Sequence, residues 1–296
     1  MWIKTKFFSS PPHLVVDISS TEKAIIDYGS IGIIAGSGSF PLQFAIQAKS
    51  KGCKIYVIAH QGETAKEIEK LADSVVWIRL GQLGKVINFF KSSAVRYVVM
   101  AGGISRVKHF GDIKLDLKGA SLIARVRSTK DDVVMRGIAD ELLKEKIEVV
   151  SCLSFFGEHV VREGIISGTK LSKDEQEDVR VGINAIHAMS SQDIGQLVVV
   201  KEGVVVAVEA VEGTDETIRR GGKLGGAKTV VVKFSKPTQD LRFDVPTIGI
   251  NTIQTLIDAK SRVLALEAGK GMILDLEQVK KLASQAGITI IGTKWN

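Results

Sequence analysis

Acidic and basic side chains follow two apolar runs in the second half of this 296-residue sequence. The first run, Val204–Val211, is rich in β-branched residues and is followed by Glu212, Thr214 and Asp215. The second run, Thr229–Phe234, leads into a set of charged and polar residues: Lys233, Lys236, Gln239, Asp240, Arg242 and Asp244. Short apolar runs that end in turn residues indicate buried strands. The pattern therefore predicts two buried strands that carry acids and bases at one end of a sheet.

These residue types favour a phosphate-binding site with a metal ion. In α/β sheets, ligands bind beyond the carboxyl ends of the strands, where loops and helix N-termini converge. Carboxylate oxygens bind Mg²⁺ or another hard divalent cation, and lysine and arginine neutralise phosphate oxygens. The same residues are also consistent with a surface turn followed by a solvated charged segment. The residue types alone leave both interpretations open.

Two glycine-rich loops in the first half of the chain indicate a second part of the same site. They follow predicted strands at Ile31–Ala35 and Val95–Met100, and their residues of interest are Gly36, Ser37, Gly38, Gly102, Gly103 and Arg106. Small residues let backbone N–H groups approach a phosphate or a sugar. Loops after the first and fourth strands flank the switch point of a doubly wound sheet, so we expect both to line one cleft. Glycines that only turn the chain would give the same pattern.

The first of these loops does not complete a dinucleotide-binding fingerprint. That motif requires a third glycine where this sequence has Pro41, and a carboxylate at the end of the second strand, where it has His60 and Gln61. NAD binding is therefore disfavoured. A nucleotide-sugar site and a purely structural turn both remain consistent with the loop.

Two further segments place polar side chains at the start of a helix. Asp131 and Asp132 precede a predicted helix that runs to Lys144, where acids either stabilise the helix N-terminus or face the cleft. Thr214 is a candidate cap for a helix over Asp215–Arg220. Each segment therefore has a structural interpretation beside the functional one.

The order of the predicted elements gives the fold class. Strands alternate with helices through the first half, which predicts a parallel, doubly wound sheet with right-handed crossovers. We expect an arm at residues 1–30, a Rossmann-like domain with the glycine loops at 31–160, and an α/β domain with a mixed sheet and the acidic site at 161–296.

Composition narrows the classes of partner. The net charge of +7 suits nucleic acid, an anionic membrane surface or a phosphorylated metabolite, but only 6% of residues are aromatic and no basic block contains them, which argues against nucleic acid. The two cysteines, Cys53 and Cys152, lack the number and spacing of a disulfide framework or a zinc site, so we expect small core residues in a reducing compartment. We find no apolar run of the roughly 18 residues needed to cross a bilayer.

Several motifs together resemble one known family. They are IGIIAGSGSFP, MAGGISR, the KDD helix, GVVVAVEAVEGTDETIRRGG, and KPTQDLRFDVPTIG followed by LEAG. In this order they are similar to the UDP-2,3-diacylglucosamine pyrophosphatase family in its two-domain α/β form. The resemblance extends over residues 31–292 and does not include the arm.

The resemblance implies hydrolysis of the pyrophosphate bond of UDP-2,3-diacylglucosamine to UMP and 2,3-diacylglucosamine 1-phosphate, in lipid A biosynthesis. It also implies Mg²⁺ or a similar divalent cation, and a substrate bound between the domains at the cytoplasmic face of the inner membrane. A protein in the cytoplasm that associates peripherally with this membrane, and forms a homodimer, would fit that setting.

The resemblance also suggests roles for individual residues. Asp244 is the expected central carboxylate, and Asp215 the second catalytic residue. Both would bind the metal together with Glu212. The remaining candidates would contact the substrate: Gly36, Ser37, Gly38, Gly102, Gly103, Arg106, Asp131, Asp132, Thr214, Lys233, Lys236, Gln239, Asp240 and Arg242. The alternative for Asp240 and Arg242 is a surface ion pair with each other.

Two other functions remain consistent with the residues. A non-catalytic nucleotide-sugar or lipid-binding protein would keep the glycine loops and tolerate neutral residues at Asp215 and Asp244. An oxidoreductase on the Rossmann-like domain would need a nicotinamide cofactor.

Overall fold

The computed structural model describes residues 29–104, 114–126, 131–190, 194–236 and 239–294, with only the backbone of Asp131, Asp132 and Ser190. The predicted arm lies outside these ranges except for its last two residues, and so does Arg106. Within the described ranges, no helix is both long enough and apolar enough to cross a membrane.

The first half of the chain forms a parallel five-stranded sheet. Its strands are β1 (Ser30–Ala35), β2 (Lys54–His60), β3 (Ser74–Ile78), β4 (Tyr97–Ala101) and β5 (Glu148–Val149). Its helices are α1 (Phe40–Ser50), α2 (Leu83–Ser92), α3 (Leu117–Val126) and α4 (Asp131–Lys144). The strand order is β3-β2-β1-β4-β5, so the prediction of a doubly wound parallel sheet is confirmed.

Both faces of this sheet are covered by apolar side chains. Along β1, Ile31 and Ile33 belong to one buried cluster, with Phe44 of α1, whereas Ile34 packs against a second cluster that contains Phe90 of α2. Alternate residues of a strand point to opposite faces, so a continuous apolar run is what a strand with helices on both faces requires. The sequence pattern and the two-faced core therefore agree.

The second half forms a mixed six-stranded sheet. Its strands are β6 (Gly164–Ser167), β7 (Leu197–Lys201), β8 (Val204–Val208), β9 (Val230–Lys233), β11 (Val263–Glu267) and β13 (Thr289–Thr293). Its helices are α5 (Lys173–Ser190), α6 (Thr214–Gly225), α7 (Ile250–Asp258) and α8 (Leu276–Gln285). A separate parallel pair consists of β10 (Thr247–Ile248) and β12 (Met272–Ile273). The prediction of a second α/β domain with a mixed sheet is confirmed.

One strand prediction in this domain is wrong in a way that affects the site. In the order β6-β13-β11-β9-β7-β8, β8 is the edge strand, it is mostly part-exposed, and it ends at Val208 rather than Val211. Beyond that point Glu209 N still donates to Leu197 O at 2.8 Å, but β7 begins at Leu197 and offers no further partner. β-branched residues suit an edge strand as well as a buried one, so the run alone could not distinguish them.

The strand directions bring the two predicted polar segments to one edge. β8 and β9 are each antiparallel to β7, which lies between them, and they therefore run in the same direction. The carboxyl ends of β8 and β9 flank the start of β7. The residues that follow β8 and β9 thus share one edge of the sheet.

The helices of the two domains begin with different capping residues. Ser172 and Glu175 form a reciprocal cap at the start of α5, with Ser172 N donating to Glu175 Oε2 at 2.8 Å and Glu175 N to Ser172 Oγ at 3.1 Å. The connection between β2 and β3 contains a 3₁₀ turn, Lys66–Lys70. Thr214 is not a cap: Gly213 occupies that position, and the Thr214 side chain bonds elsewhere.

The two cysteines lie in the core, as predicted. Cys53 and Cys152 are both buried and neither is in a disulfide bond. Burial raises the pKa of the Cys152 thiol to about 12, which keeps it protonated and unreactive at neutral pH.

The loop over residues 239–246 belongs to the second domain and packs against the first. Ser151 Oγ, in the first domain, donates to Leu241 O at 2.8 Å. Phe243 and Val245 pack against the two apolar clusters of the first domain, and the cluster that Val245 contacts also receives Phe40 at the start of α1. This loop therefore brings the second domain's polar segment toward the first domain.

The glycine turns after β1 and β4 lie against each other. Gly36 N donates to Ala101 O at 2.8 Å, and Ser37 N donates to Gly103 O at 2.7 Å. A Cβ at Gly36 would lie 2.3 Å from Gly103 O, and one at Gly102 would lie 2.4 Å from Ser37 O. Close backbone approach is therefore the physical reason for glycine at these two positions.

We expect Gly102→Ala to destabilise the first domain more than Gly38→Ala. Both residues have positive φ, +85° and +86°, so both variants carry the backbone cost of about 1–2 kcal/mol. Only Gly102 also meets backbone atoms, which adds about 1–3 kcal/mol. Chemical denaturation followed by circular dichroism measures the difference, and equal losses from the two variants would show that the turns do not touch as described.

Candidate active site at the carboxyl edge of the second sheet

A buried lysine is the centre of the polar cluster at this edge. Lys233, the last residue of β9, is 5% exposed, and its Nζ donates to Thr214 Oγ1 at 2.7 Å. Burial lowers the pKa of Lys233, while the negative charges of Glu209, Asp244 and Asp215 act in the opposite direction and raise it. Carboxylates from three separate segments are therefore near enough to act on one ammonium group.

Sequence reasoning missed Glu209. This side chain is 7% exposed, and its two oxygens accept hydrogen bonds from Thr214 Oγ1 at 3.0 Å and from Gln196 N at 3.1 Å. The Thr214 hydroxyl thus donates to Glu209 and accepts from Lys233, which makes Thr214 a link between the two charges. A carboxylate inside an apolar β run is itself a signal, because a buried charge requires a partner.

Asp244 is held in place by Gln239. Gln239 Nε2 lies 2.8 Å from Asp244 Oδ2 and 2.9 Å from Asp244 O, and 3.0 Å from Gln196 Oε1 at the start of β7. Gln239 Oε1 accepts from Lys236 N at 2.8 Å. One amide therefore closes the loop on itself and joins it to the sheet edge, which fixes the position of the Asp244 carboxylate.

Glu212 is engaged on the neighbouring helix. Its Oε1 lies 2.5 Å from Arg220 Nη2 and accepts from Thr217 Oγ1 at 3.2 Å, while Oε2 accepts from Ala210 N at 3.2 Å. Backbone hydrogen bonding and then the bond from Arg220 hold the pKa of Glu212 below its usual value. Its carboxylate is thus occupied by its own turn and by α6.

Asp240 and Arg242 pair with each other, which was the alternative to substrate contact. Arg242 Nε and Nη2 donate to the two carboxylate oxygens of Asp240 at 2.9 and 2.7 Å. Burial works to raise the pKa of Asp240, but the hydrogen bonds from Arg242 outweigh it and lower that pKa. Arg136 of α4 lies 4.0 Å from Asp240, and the Arg242 guanidinium lies 4.9 Å from the ring centre of Phe243. The pair therefore fastens the connecting loop to the first domain.

Family comparisons divide the chain at the same place as the two sheets. Residues 30–159 match the model described as the LpxI N-terminal domain, and residues 162–291 match the LpxI C-terminal domain. The chain belongs to the LpxI family. It is 30% identical over 274 residues to the UDP-2,3-diacylglucosamine pyrophosphatase LpxI of Caulobacter vibrioides, a match that covers 88% of this chain and 96% of that protein.

Two of the solved structures that match the chain are distant from it. Urea amidolyase of K. lactis is 14% identical with a TM-score of 0.27, over 44% of this chain and 7% of that one. N5-carboxyaminoimidazole ribonucleotide synthetase of Thermotoga maritima is 16% identical with a TM-score of 0.25, over 62% of this chain and 42% of that one. The chain spans less than half of either protein, and such scores carry no argument about function.

The LpxI-family chain was expected to bind a divalent cation through Asp215, Asp244 and Glu212. Within the described ranges, no group of three or more histidine, cysteine or acidic side chains is arranged to hold a metal ion. Mg²⁺ is commonly bound by one or two carboxylates together with substrate phosphates rather than by a complete protein cage. Asp215 and Asp244, which both act on Lys233, fit that donor set. Glu212 would first have to release Arg220, so we leave it out of the proposed set.

The other predicted contacts are distributed around this cluster. Gly36, Ser37, Gly38, Gly102 and Gly103 lie in the two touching turns of the first domain, and Ser37 Oγ donates to Gly103 O at 2.9 Å. Lys236 lies in the loop that Gln239 closes. Asp131 and Asp132 are the first two residues of α4, with side chains outside the described part, as is all of Arg106.

Proposed function

We propose that this chain hydrolyses the pyrophosphate bond of UDP-2,3-diacylglucosamine to UMP and 2,3-diacylglucosamine 1-phosphate, a step of lipid A biosynthesis. The observation that carries the proposal is the cluster of Lys233, Asp215 and Asp244 at one sheet edge of a chain in the LpxI family. The Lys233 ammonium can stabilise negative charge on a phosphate, and a neighbouring carboxylate can orient the water that attacks it.

Asp244 orients the attacking water in the proposed reaction. The water oxygen bonds to one phosphorus, the bond from that phosphorus to the bridging oxygen breaks, and the bridging oxygen leaves with the other phosphate. The Asp244 carboxylate accepts the proton of the water and passes it to solvent. Gln239 keeps the carboxylate in position through the 2.8 Å contact with Oδ2.

Lys233 stabilises the negative charge that develops on the phosphate oxygens, and Thr214 holds Lys233 in place. Lys233 is held by Thr214, which is held in turn by Glu209, so its ammonium is oriented before the substrate arrives. A fixed cation in a buried site stabilises a transition state more than a mobile one in water, because no reorganisation is needed during the reaction. We assign Glu209 as a positioning residue for this pair.

Asp215 and Asp244 would hold the proposed divalent cation. A bound Mg²⁺ would neutralise part of the negative charge on the pyrophosphate oxygens. Arg242 and Asp240, being paired, contribute by keeping the loop closed rather than by contacting the reacting atoms. The glycine turns of the first domain offer backbone N–H groups to the nucleotide or the sugar.

The setting at the membrane is part of the proposal. The net charge of +7 would attract the chain to an anionic inner-membrane surface on the cytoplasmic side, where its acylated substrate lies. This attraction is screened by salt. Homodimer formation remains a prediction.

Incubation with UDP-2,3-diacylglucosamine tests the activity directly. We expect mass spectrometry to detect UMP and 2,3-diacylglucosamine 1-phosphate in the presence of Mg²⁺, and EDTA to abolish the products until excess Mg²⁺ is restored. Full turnover in EDTA would remove the metal from the proposal. Binding of the substrate without products would favour the alternative, a non-catalytic nucleotide-sugar or lipid-binding protein.

A further inference from the structure

Glu267 is a buried acid that takes no part in the reaction described above. It belongs to the LEAG motif, it is the last residue of β11, and it is 2% exposed. A buried carboxylate is costly unless its oxygens accept hydrogen bonds, so the partners of these oxygens indicate the role of the residue. Both oxygens of Glu267 are engaged within the second domain.

One oxygen of Glu267 holds the chain just after β9. Oε2 accepts from Ser235 N at 2.9 Å and also from the Ser235 hydroxyl. The pairing of β9 with β11 ends at Lys233, so this side chain takes the place of a backbone carbonyl for the next N–H on that side. On the other side, Phe234 N donates to Gln196 O at 3.0 Å. The chain is therefore held from both sides beyond the end of the strand.

The other oxygen of Glu267 is paired with a lysine in the turn that follows β11. Oε1 lies 2.7 Å from Lys270 Nζ, which compensates the buried charge. The backbone carbonyl of Glu267 accepts from Gly271 N at 2.9 Å and closes this turn. Glu267 therefore joins the start of the turn to the chain that leaves β9.

The end of the same turn holds the far end of the loop that carries Asp244. Met272 N donates to Pro246 O at 2.9 Å, and Met272 then pairs with Thr247 where β12 meets β10. The chain between β9 and β10 is thus fixed at its start by Glu267 and at its end by β12. Asp244 lies two residues before the second of these anchors.

We propose that Glu267 is a positioning residue for Asp244, acting through Ser235. This inference rests on the proposed function, which gives Asp244 its role. With both anchors in place, the Asp244 carboxylate lies where Gln239 Nε2 reaches it at 2.8 Å. Without the acceptor on Glu267, the start of the loop is free to shift while β11 stays paired with β9 and β13 on its two sides.

Glu267→Met tests the inference, because it removes the acceptor and keeps a similar side-chain length. Glu277→Met is the matched control: Glu277 is exposed at the start of α8, and its Oε1 likewise lies 2.9 Å from a lysine three residues later, Lys280. We expect Glu267→Met to lower kcat by about 10- to 100-fold and to change KM by less than about threefold, because a displaced Asp244 weakens the chemical step. Glu267→Gln keeps an oxygen for Ser235 and should recover most of this loss.

The Asp244→Asn background separates positioning from a general loss of stability. In that background Glu267→Met should lower the residual turnover no further, since the carboxylate that it positions is already gone. An equal fold loss in both backgrounds would mean that Glu267 only stabilises the domain, and would overturn the inference. So would a kcat for Glu267→Met equal to that of Glu277→Met, while the proposed function stands.

Hydrogen exchange followed by mass spectrometry needs no activity. In the wild type the amides of Gln239, Phe243 and Asp244 donate to nearby backbone carbonyls. We expect Glu267→Met to speed exchange over residues 239–246 by about tenfold and to leave β7 and β8 unchanged. Exchange equal to that of Glu277→Met, or faster throughout the domain, would contradict the anchoring.

The exchange measurement keeps the inference distinct from the proposed function. If the wild type does not hydrolyse the substrate, the function fails, and exchange alone decides whether Glu267 holds the loop. If Glu267→Met does not fold, Ser235→Ala takes its place, because it removes only the hydroxyl bond to Oε2. We expect it to lower kcat by about three- to tenfold with faster exchange over the loop, and wild-type values of both would overturn the inference.

Discussion

Asp244→Asn reduces the turnover of UDP-2,3-diacylglucosamine by about a thousandfold or more while the protein stays folded. The replacement keeps the shape of the side chain and can still form a hydrogen bond with Gln239, which lies 2.8 Å from Asp244 Oδ2. It removes the charge that accepts a proton from water and that would bind a divalent cation. Release of UMP measured by mass spectrometry gives kcat, and circular dichroism checks the fold.

Asp258→Asn is the matched control for this variant. Asp258 is an exposed residue at the end of α7 in the same domain, and its Oδ1 accepts from Gln254 Nε2 at 3.0 Å. It loses the same charge and keeps a similar contact, so its kcat should equal that of the wild type. Turnover by Asp244→Asn within a few-fold of this control would exclude Asp244 from the chemistry.

Lys233→Met destabilises the second domain by about 3–5 kcal/mol and abolishes turnover. Methionine has a similar length and suits a site that is 5% exposed, but it leaves Glu209, Asp215 and Asp244 without the ammonium that compensates them. Of these three carboxylates Glu209 is buried, and an unpaired buried carboxylate is costly, whereas an unpaired apolar side chain is not. Chemical denaturation followed by circular dichroism measures the loss, and Lys223→Met on the exposed side of α6 is the control.

A double variant, Lys233→Met with Glu209→Gln, separates stability from catalysis. Removing one of the carboxylates together with the ammonium should restore about 1–3 kcal/mol relative to the sum of the single variants, because Thr214 connects the two side chains. Turnover should remain lost, since the cation is still absent. Additive stabilities would contradict the coupling, and recovered turnover would contradict the role of Lys233.

The candidate site was predicted from polar residues that follow apolar runs. Asp215 and Asp244 were proposed as site residues because each follows an apolar run, and the two runs end at one edge of the sheet. Glu209 was missed because the apolar run continues to Val211, although the strand ends at Val208. The end of an edge strand depends on where its neighbour begins, and β7 begins at Leu197.

The sequence offered the ion pair between Asp240 and Arg242 only as an alternative to substrate contact, and it gave no partner for Asp244. The segment 239–244 offers several acids and bases, and only the folded loop decides that Arg242 binds Asp240 while Gln239 binds Asp244. The bonds from Ser235 to Glu267 likewise join residues that are 32 positions apart.

The sequence by itself determined the class of each domain, the positions of the two glycine turns after strands and the two aspartates that follow apolar runs. These follow from local physics: apolar periodicity sets the elements, and glycine is required where backbones touch. Only the tertiary structure decided which charges compensate one another, that β8 lies at the edge, and that Lys233 is buried among Glu209, Asp215 and Asp244. The reason is that a buried charge is stabilised by whichever groups the chain topology brings within a few ångströms, and sequence separation does not measure that distance.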